Sequence, residues 1–364
     1  MINKIHHTNV LDGLKKLNSN SIDCIVTSPP YWALRDYGVK GQLGLEPNPD
    51  DYIQAIFDII KECERVLKPT GTLWLNLGDS YYTKNNKRKE FFNRYGKDKQ
   101  SYGFNWLQAK QRLLIPFRIA IKIQDELGMI LRNDITWVKQ WCNVKTKASA
   151  GGSMPSAVTD RLNTVSESLF LFVKKKKYYF DMDSIRVPHK TSSLKRAKYS
   201  PQMCNIKGKN PGDCLMFPLE PSKERHFAMF PTTLPEFCIK AGCPKEVCKK
   251  CGTPKLSLRI GGSPYSFNLR IRDAKEGRIK NSDRKASNKE IKEYNEKDYI
   301  SKERRKIVFS CDCNAGFEPG IVLDPFMGSG TTAIVAKRLN RNFIGFELNK
   351  DYVKIARRRL KNEN

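Results

Sequence analysis

The strongest chemical signal in the sequence is the run Thr-Ser-Pro-Pro-Tyr-Trp at residues 27–32. It follows an apolar stretch that is typical of a buried strand. Neither proline can donate a backbone hydrogen bond, so we expect the Ser28 side chain and the Pro29 carbonyl to be held still where the strand ends. The ring of Tyr31 offers a stacking surface beside these fixed acceptors, and Trp32 would extend that surface. Such an arrangement suits the exocyclic amino group of a flipped-out base. The alternative is a strand-ending turn with two core aromatics.

A glycine turn near the other end of the chain suits a nucleotide ligand. Residues 322–332 read Val-Leu-Asp-Pro-Phe-Met-Gly-Ser-Gly-Thr-Thr, a strand that runs into a Gly-x-Gly turn and a helix start. Glycines let a ligand approach the backbone, and a helix N-terminus favours an anionic group. A second predicted strand, residues 343–346, ends at Glu347. An acid there is placed to bind ribose hydroxyls or, alternatively, to cap the next helix.

The two motifs together resemble those of the DNA amino-methyltransferases that use S-adenosylmethionine. Ser-Pro-Pro-Tyr precedes Asp-Pro-Phe-x-Gly-Ser-Gly-Thr-Thr in this chain, an order similar to the beta group of that family. The resemblance covers about residues 1–80, 110–190 and 224–364. It implies two sets of site residues: a catalytic set of Ser28, Pro29, Pro30 and Tyr31, and a cofactor set of Asn9, Asp324, Phe326, Gly328, Gly330, Thr331, Thr332 and Glu347.

The resemblance also implies a role for each part of the cofactor site. Asp324, Phe326, Gly328 and Gly330 would surround the methionine and sugar parts of the cofactor, and the two threonines after them would approach its carboxylate. Asn9 stands where family members carry an acid at the adenine edge. Its amide oxygen can accept from the adenine amino group, and a plain turn residue is the alternative. Asp79 is expected to line the pocket.

The resemblance further implies direct methyl transfer to an amino group of a base. Such a nitrogen is a poor nucleophile because its lone pair is delocalised into the ring, and acceptors for both amino protons make it more reactive. Since the sulfonium donor already carries positive charge, alignment should supply most of the rate. The sequence contains no Pro-Cys pair, which argues against methylation at carbon. Ser-Pro-Pro-Tyr favours cytosine in this family; a serine can also donate to the cytosine ring nitrogen.

Three other functions remain open from the sequence. The first is the same reaction on the amino group of adenine, and the second is a DNA-binding protein that keeps the fold without catalysis. The third is methylation of RNA. The main interpretation predicts double-stranded DNA as substrate, with a cognate restriction endonuclease and a homodimer as further expected partners.

Composition points to a polyanionic partner. The 364 residues carry a formal net charge of +28, for which a basic solvated surface is the alternative. No apolar stretch is long enough to cross a membrane, and the first residues do not read as a signal peptide. We therefore expect a cytoplasmic protein of a prokaryotic cell, or one associated with the nucleoid, that does not act at a membrane.

Eleven cysteines without a secretory signal favour reduced thiols or a metal site. Cys248 and Cys251 form a Cys-x-x-Cys-Gly knuckle, and Cys311 and Cys313 form a Cys-x-Cys pair. Four thiolates from two such pairs suit structural zinc, with Cys243 as a substitute ligand. Free buried thiols are the alternative.

Basic residues between the two motifs are candidates for contacts with DNA phosphates. They comprise the lysine run at residues 174–177 together with Lys190, Lys195, Arg196 and Lys198. For each one a solvated surface residue is the alternative. The pairs at residues 160–161 and 166–167 resemble a recurrent family segment near the active site without an assigned role. His226 lies in the segment expected beside the cofactor, and a core histidine is the alternative.

Alternating strand and helix patterns predict an α/β fold. We expect a permuted Rossmann-like methyltransferase sheet with helices on both faces, a target-recognition insertion and a small zinc-binding lobe. The predicted elements are helices at 51–67 and 111–127, strands at 73–77 and 130–138, and a hairpin of 169–173 with 178–180. The predicted units are the catalytic half 1–140, the recognition region 141–225, the cofactor-side helix 226–242, the zinc lobe 243–315 and the cofactor-binding half 316–364.

Overall fold

The structure is a computed structural model that describes residues 1–82, 108–152, 158–190, 205, 207–219, 230–257, 307–308 and 311–363. The strands in these ranges are β1 Lys4–His7, β2 Ile22–Thr27, β3 Leu67–Leu77, β4 Ile130–Val138, β5 Gln140–Cys142, β6 Ser149–Gly151, β7 Ser166–Val173, β8 Cys214–Met216, β9 Val247–Cys248, β10 Leu256–Ser257, β11 Ile307–Val308, β12 Phe317–Glu318, β13 Ile321–Asp324 and β14 Asn342–Glu347. The helices are α1 Val10–Lys15, α2 Pro49–Val66, α3 Ile115–Leu127, α4 Thr233–Gly242, α5 Thr331–Arg338 and α6 Lys350–Lys361, with a 3₁₀ turn at Met182–Ile185.

Eight strands form one sheet in the order β1-β14-β13-β2-β3-β7-β4-β8. Neighbours in this sheet are parallel except at β7, which runs antiparallel to β3 and β4. The late strands β13 and β14 lie between β1 and β2, so the sheet has the permuted order that the sequence predicts. Parallel strands end at one edge of a sheet, where open α/β sheets bind their ligands. We call this the carboxyl edge and its opposite the amino edge.

Helices cover both faces of the sheet, as predicted. On one face α1, α2 and α3 pack over a core that includes Ile25 and Leu323. On the other face α4, α5 and α6 pack over Val26 and Val322. Successive residues of a strand point to opposite faces. A strand that is covered on both sides is therefore mainly apolar, which is why Cys24, Ile25 and Val26 precede the first motif.

Helix α3 begins at Ile115, later than the predicted residue 111. The carboxylate of Asp79 accepts hydrogen bonds from the backbone N–H groups of Leu114 at 3.0 Å and Ile115 at 3.1 Å, and from Arg112 Nε at 2.7 Å. Leu114 has a left-handed φ of 56°, which does not continue a helix toward the N-terminus. The side chain of Asp79 is 2% exposed and anchors the start of α3. The prediction that it lines the pocket is therefore wrong.

The predicted hairpin between residues 169–173 and 178–180 is wrong. β7 has β3 on one side and β4 on the other, so neither side is open to a further strand. The chain instead turns back, and the Tyr179 N–H donates to the Thr70 carbonyl at 2.9 Å. No helix in the described ranges is long and apolar enough to span a bilayer.

Candidate active site

The Ser-Pro-Pro-Tyr turn leaves the carboxyl end of β2 and is fastened to the helical layer. The Pro30 carbonyl accepts a hydrogen bond from the Tyr52 hydroxyl of α2 at 2.8 Å. Trp32 is 3% exposed, and its indole N–H donates to the Glu46 carbonyl at 3.0 Å. Trp32 is therefore a core residue, and the prediction that it extends a stacking surface is wrong. Ser28 and Tyr31 remain half-buried at the carboxyl edge.

The hydroxyl of Tyr31 is the centre of a polar network. It lies 2.7 Å from Glu167 Oε2, 3.2 Å from Ser28 Oγ and 3.3 Å from Asn76 Oδ1. Glu167 also forms an ion pair with Lys139 through its other carboxylate oxygen. Burial, together with the charge of Glu167, raises the pKa of Tyr31 well above its usual value of 10.0, so the phenol stays protonated.

Sequence reasoning noted residues 166–167 without a role and missed Asn76. Asn76 is 1% exposed and its amide N–H donates to the Ser168 carbonyl at 3.3 Å. An amide in the middle of an apolar strand must find hydrogen-bond partners. That was the available signal, because Asn76 interrupts the apolar run at residues 73–77.

A glycine fixes the position of the tyrosine ring. A Cβ atom added at Gly78 would lie 2.5 Å from Cε2 and 2.9 Å from Cδ2 of Tyr31. Real carbon–carbon contacts are about 3.5–4.0 Å. The end of β3 must therefore carry glycine if the ring is to keep this place.

The glycine turn is joined to the Ser-Pro-Pro-Tyr turn through one buried carboxylate. Asp324, at the end of β13, accepts hydrogen bonds from Thr27 Oγ1 at 2.9 Å, Phe326 N at 3.0 Å and Thr332 Oγ1 at 2.6 Å. Burial is the main cause that raises the pKa of Asp324 to about 6. Asp324 and Thr332 are 1% and 0% exposed, so both side chains hold the turn in shape.

The remaining predicted cofactor residues surround the turn itself. Gly328 and Gly330 have left-handed φ values of 53° and 88°, and Gly330 precedes α5. Glu347 Oε2 accepts from the Gly328 N–H at 2.8 Å, and Glu347 Oε1 accepts from Asn349 N at 2.7 Å. Burial raises the pKa of Glu347 above its usual value. Phe326 is half-buried and Thr331 is buried beside this turn.

Asn9 follows β1 at the same edge, next to Glu347. Its side-chain oxygen accepts from the Leu11 N–H at 2.9 Å and caps α1. The Thr8 N–H donates to the Glu347 carbonyl at 3.1 Å. The structure thus places Asn9 at the carboxyl edge of the sheet and gives its amide oxygen a capping role.

The ammonium group of Lys174 is bonded within the protein, so the prediction that it contacts DNA phosphates is wrong. Its ammonium lies at the amino edge, where it donates to Asn20 Oδ1 at 3.1 Å and to the Glu64 and Leu67 carbonyls at 2.9 and 3.0 Å. The side chain is 13% exposed and also forms an ion pair with Glu64. The three lysines after it are exposed near the same edge, opposite the Ser-Pro-Pro-Tyr turn.

Four cysteines converge as the sequence predicts. The Sγ atoms of Cys248, Cys251, Cys311 and Cys313 all lie within 4.8 Å of one another. Cys243 is wrong as a substitute ligand: it is fully buried in the core, and its Sγ lies 3.8 Å from the Pro244 carbonyl.

Several predicted residues lie outside the described ranges: Lys195, Arg196, Lys198 and His226. A cavity of about 860 Å³ lies beside Lys4, Asn342 and Arg357. It opens at the amino edge of β1 and β14 and is therefore separate from the candidate active site.

Comparison with known proteins shows the family. A model described as DNA methylase, which spans N6 and N4 methyltransferases, matches residues 22–247 and 314–358. The chain is 30% identical to the Type II methyltransferase M.SmaI of Serratia marcescens over 352 residues, or 96% of this chain and 87% of the relative. It is 43% identical to M.SfiI of Streptomyces fimbriatus over 182 residues, which cover 50% of this chain and 38% of that protein. The chain belongs to this family of DNA amino-methyltransferases.

Solved structures agree on the fold. The cytosine-N4-specific PvuII DNA methyltransferase superposes with a TM-score of 0.54 at 18% identity, over 97% of this chain and 84% of that one. A putative DNA modification methylase of Thermus thermophilus, complexed with S-adenosyl-L-methionine, gives 0.50 at 18% identity over 99% and 95% of the two chains.

Proposed function

We propose that this protein transfers a methyl group from S-adenosylmethionine to the amino group of cytosine in duplex DNA and so forms N4-methylcytosine. The observation that carries the proposal is the position of Ser28, which lies at the carboxyl edge one residue after Thr27, and Thr27 is bonded to Asp324 of the glycine turn at 2.9 Å. The family membership supports a DNA substrate. The cytosine specificity named for the PvuII enzyme supports the choice of base.

The glycine turn suits S-adenosylmethionine. Gly328, with a φ of 53°, presents backbone without a side chain before α5, whereas Gly330, with a φ of 88°, packs against Ala356 of α6, where an added Cβ would lie 2.9 Å away. The carboxylate of Glu347 bonds to two backbone N–H groups and keeps further lone pairs for ribose hydroxyls. Asp324 acts indirectly, because its oxygens are used to hold the turn against β2. When bound, the cofactor supplies an electrophilic methyl on a sulfonium.

The catalytic turn prepares the base for attack. Ser28 Oγ and the Pro29 carbonyl accept the two amino protons of a flipped cytosine, and Tyr31 holds its ring. The glycine turn would hold S-adenosylmethionine, which would supply the methyl group to the amino nitrogen, and one amino proton would leave to water. Alignment across the two adjacent turns is the main contribution of the protein to the rate.

The net charge of +28 supports a nucleic-acid substrate. Binding to DNA phosphates releases counterions, so the logarithm of the DNA-binding constant should fall linearly with the logarithm of the salt concentration. The names of the relatives, Type II methyltransferases, support a site-specific enzyme that acts beside a cognate endonuclease.

Nucleoside mass spectrometry tests the proposal. Unmethylated DNA is incubated with the protein and S-adenosylmethionine labelled in the methyl group, and the digested nucleosides are analysed. We expect label in N4-methylcytosine. The Ser28→Ala variant should bind the cofactor normally yet lose most turnover. Label in N6-methyladenine would overturn the base, and absence of label in DNA with cofactor bound would overturn the activity.

A further inference from the structure

The four converging thiols have the dimensions of a metal site. Their Sγ atoms lie within 4.8 Å of one another. Tetrahedral zinc with Zn–S bonds of about 2.3 Å places its sulfur atoms about 3.8 Å apart. The observed cluster needs only small side-chain movements to reach that geometry.

The backbone holds the two cysteine pairs together through its own hydrogen bonds. The Cys248 N–H donates to the Thr253 carbonyl at 2.9 Å, and the Gly252 N–H donates to the Cys248 carbonyl at 2.8 Å. Gly252 has a left-handed φ of 68°, which closes the knuckle. β9 pairs with β12 so that Cys248 stands opposite Phe317. β10 pairs with β11 just beyond the knuckle.

The knuckle lies at the amino edge of the sheet. A Cβ atom added at Gly252 would be 3.2 Å from Lys68 Nζ. Lys68 bonds to Asp23 at 2.8 Å, and Asp23 accepts from the Ile321 N–H at 2.9 Å. Lys68 is at the start of β3, whose 11 residues end next to Gly78. At about 3.3 Å per residue, about 30 Å separate the knuckle from the catalytic turn.

We propose that Cys248, Cys251, Cys311 and Cys313 bind one structural Zn²⁺ that joins the two ends of segment 258–306 at the amino edge and takes no part in methyl transfer. Metal analysis of protein purified under reducing conditions with added zinc should find about one zinc per chain. The Cys251→Ser/Cys313→Ser variant should lose it. The matched control Cys142→Ser removes an exposed cysteine outside the cluster and should keep it.

Two further measurements do not depend on how the variant folds. Cobalt exchanged into the wild-type protein should give the spectrum of tetrahedral thiolate coordination. Calorimetry on chelated wild-type protein should give unchanged affinity for S-adenosylmethionine. The proposal would be overturned if the wild-type protein contained no metal or if the double variant kept its zinc. It would also be overturned if removal of the zinc abolished binding of S-adenosylmethionine.

The hydrogen bonds around the Tyr31 hydroxyl run in a defined direction. The phenol has one hydrogen and three acceptor oxygens near it. Glu167 Oε2 is the nearest at 2.7 Å and belongs to a carboxylate, whereas Asn76 Oδ1 is 3.3 Å away. Charge-assisted bonds are the stronger ones, so Glu167 takes the hydrogen. The bond at 3.2 Å between Ser28 and Tyr31 must then run from the Ser28 hydroxyl to the Tyr31 oxygen.

We infer that Glu167 acts through Tyr31 as a positioning residue that makes Ser28 a hydrogen-bond acceptor toward the base. The Ser28 hydrogen is used by Tyr31, so only lone pairs are left for the substrate. An acceptor suits an amino proton and does not suit the cytosine ring nitrogen. The sequence left open a second role for Ser28, as a hydrogen-bond donor to the cytosine ring nitrogen, and this direction of bonding excludes that role. Lys139 keeps Glu167 in place through their ion pair. This inference rests on the proposed amino-methyltransferase activity.

A double-mutant cycle tests the relay. In Glu167→Gln, Lys139 attracts the amide oxygen and leaves the amide N–H groups facing Tyr31, which reverses the direction of the relay. Tyr31→Phe removes the relay. Each change should lower kcat about tenfold, equivalent to about 1.4 kcal/mol, with little change in KM for DNA. The double variant should be no slower than either single one.

Glu126→Gln is the matched control, since Glu126 pairs with Lys122 on the surface of α3. It should leave kcat unchanged. The relay would be overturned if the losses in kcat of the two single variants multiplied in the double variant. It would also be overturned if the variants changed KM for DNA instead of kcat. The identity of the base methylated by wild type decides the proposed function separately, because the cycle can be measured with either base.

Discussion

Replacing Gly78 by alanine should displace the ring of Tyr31 while leaving the backbone undisturbed. Gly78 does not have a left-handed φ, so an alanine backbone fits. The new methyl group would be 2.5 Å from Tyr31 Cε2. Reaching an ordinary contact of about 3.5 Å requires the ring to move by about 1 Å.

A movement of that size breaks the network around the hydroxyl. Its bonds to Glu167 and Ser28 measure 2.7 and 3.2 Å, and a further 1 Å or so takes both beyond hydrogen-bond range. A misplacement of about 1 Å can cost about 10²-fold in rate. Overpacking of this kind also lowers stability by about 1–3 kcal/mol. We therefore expect kcat to fall by about 10- to 100-fold.

The assay compares kcat, cofactor affinity and thermal unfolding for Gly78→Ala and Gly152→Ala. Gly152 has open space around a new Cβ and no left-handed φ, so its variant should match wild type. Gly78→Ala should still bind S-adenosylmethionine as wild type does, because the glycine turn is on another strand. A folded Gly78→Ala enzyme with wild-type kcat would refute the claim that the ring position matters.

Three further predictions follow from single side chains. Burial raises the pKa of Asp324 from 3.8 to about 6, so between these pH values the folded protein keeps a proton that the unfolded chain has released. As the pH rises from about 4 to about 6, the free energy of unfolding of wild type should therefore fall by up to about 3 kcal/mol relative to that of Asp324→Asn. Urea unfolding of both proteins across this pH range measures the difference. Glu347→Gln should weaken S-adenosylmethionine binding about tenfold in calorimetry, and unchanged affinity would remove its assignment. Lys174→Met should cost about 2 kcal/mol of stability without changing DNA affinity, whereas Lys176→Met should change neither.

Local signals in the sequence were enough to predict β2, β13 and the turn after each. An apolar run that ends in prolines or glycines depends only on neighbouring residues, and so β2, β13 and the turns after them lie where predicted. Lys174 was misassigned because its partner Asn20 is 154 residues away. The link between Tyr31 and Glu167 likewise spans 136 residues. Such contacts depend on strand order, which a local pattern does not contain.

Trp32 and residues 178–180 show the same limit for packing. Trp32 has the composition of a binding surface, and only the fold shows that α2 and Glu46 enclose it. Residues 178–180 have the composition of a strand, and only the pairing of β7 on both sides excludes them from the sheet.

The bond between Thr27 and Asp324 joins residues 297 positions apart. On a ribosome that adds about 5–20 residues per second, about 15–60 s pass between the synthesis of these two residues. During that time β2 has no β13 beside it, and its backbone amides are open to pairing with another nascent chain. The bond that joins the two turns can form only after Asp324 has been synthesised. The newborn enzyme is therefore expected to be inactive on DNA until the glycine turn has been made.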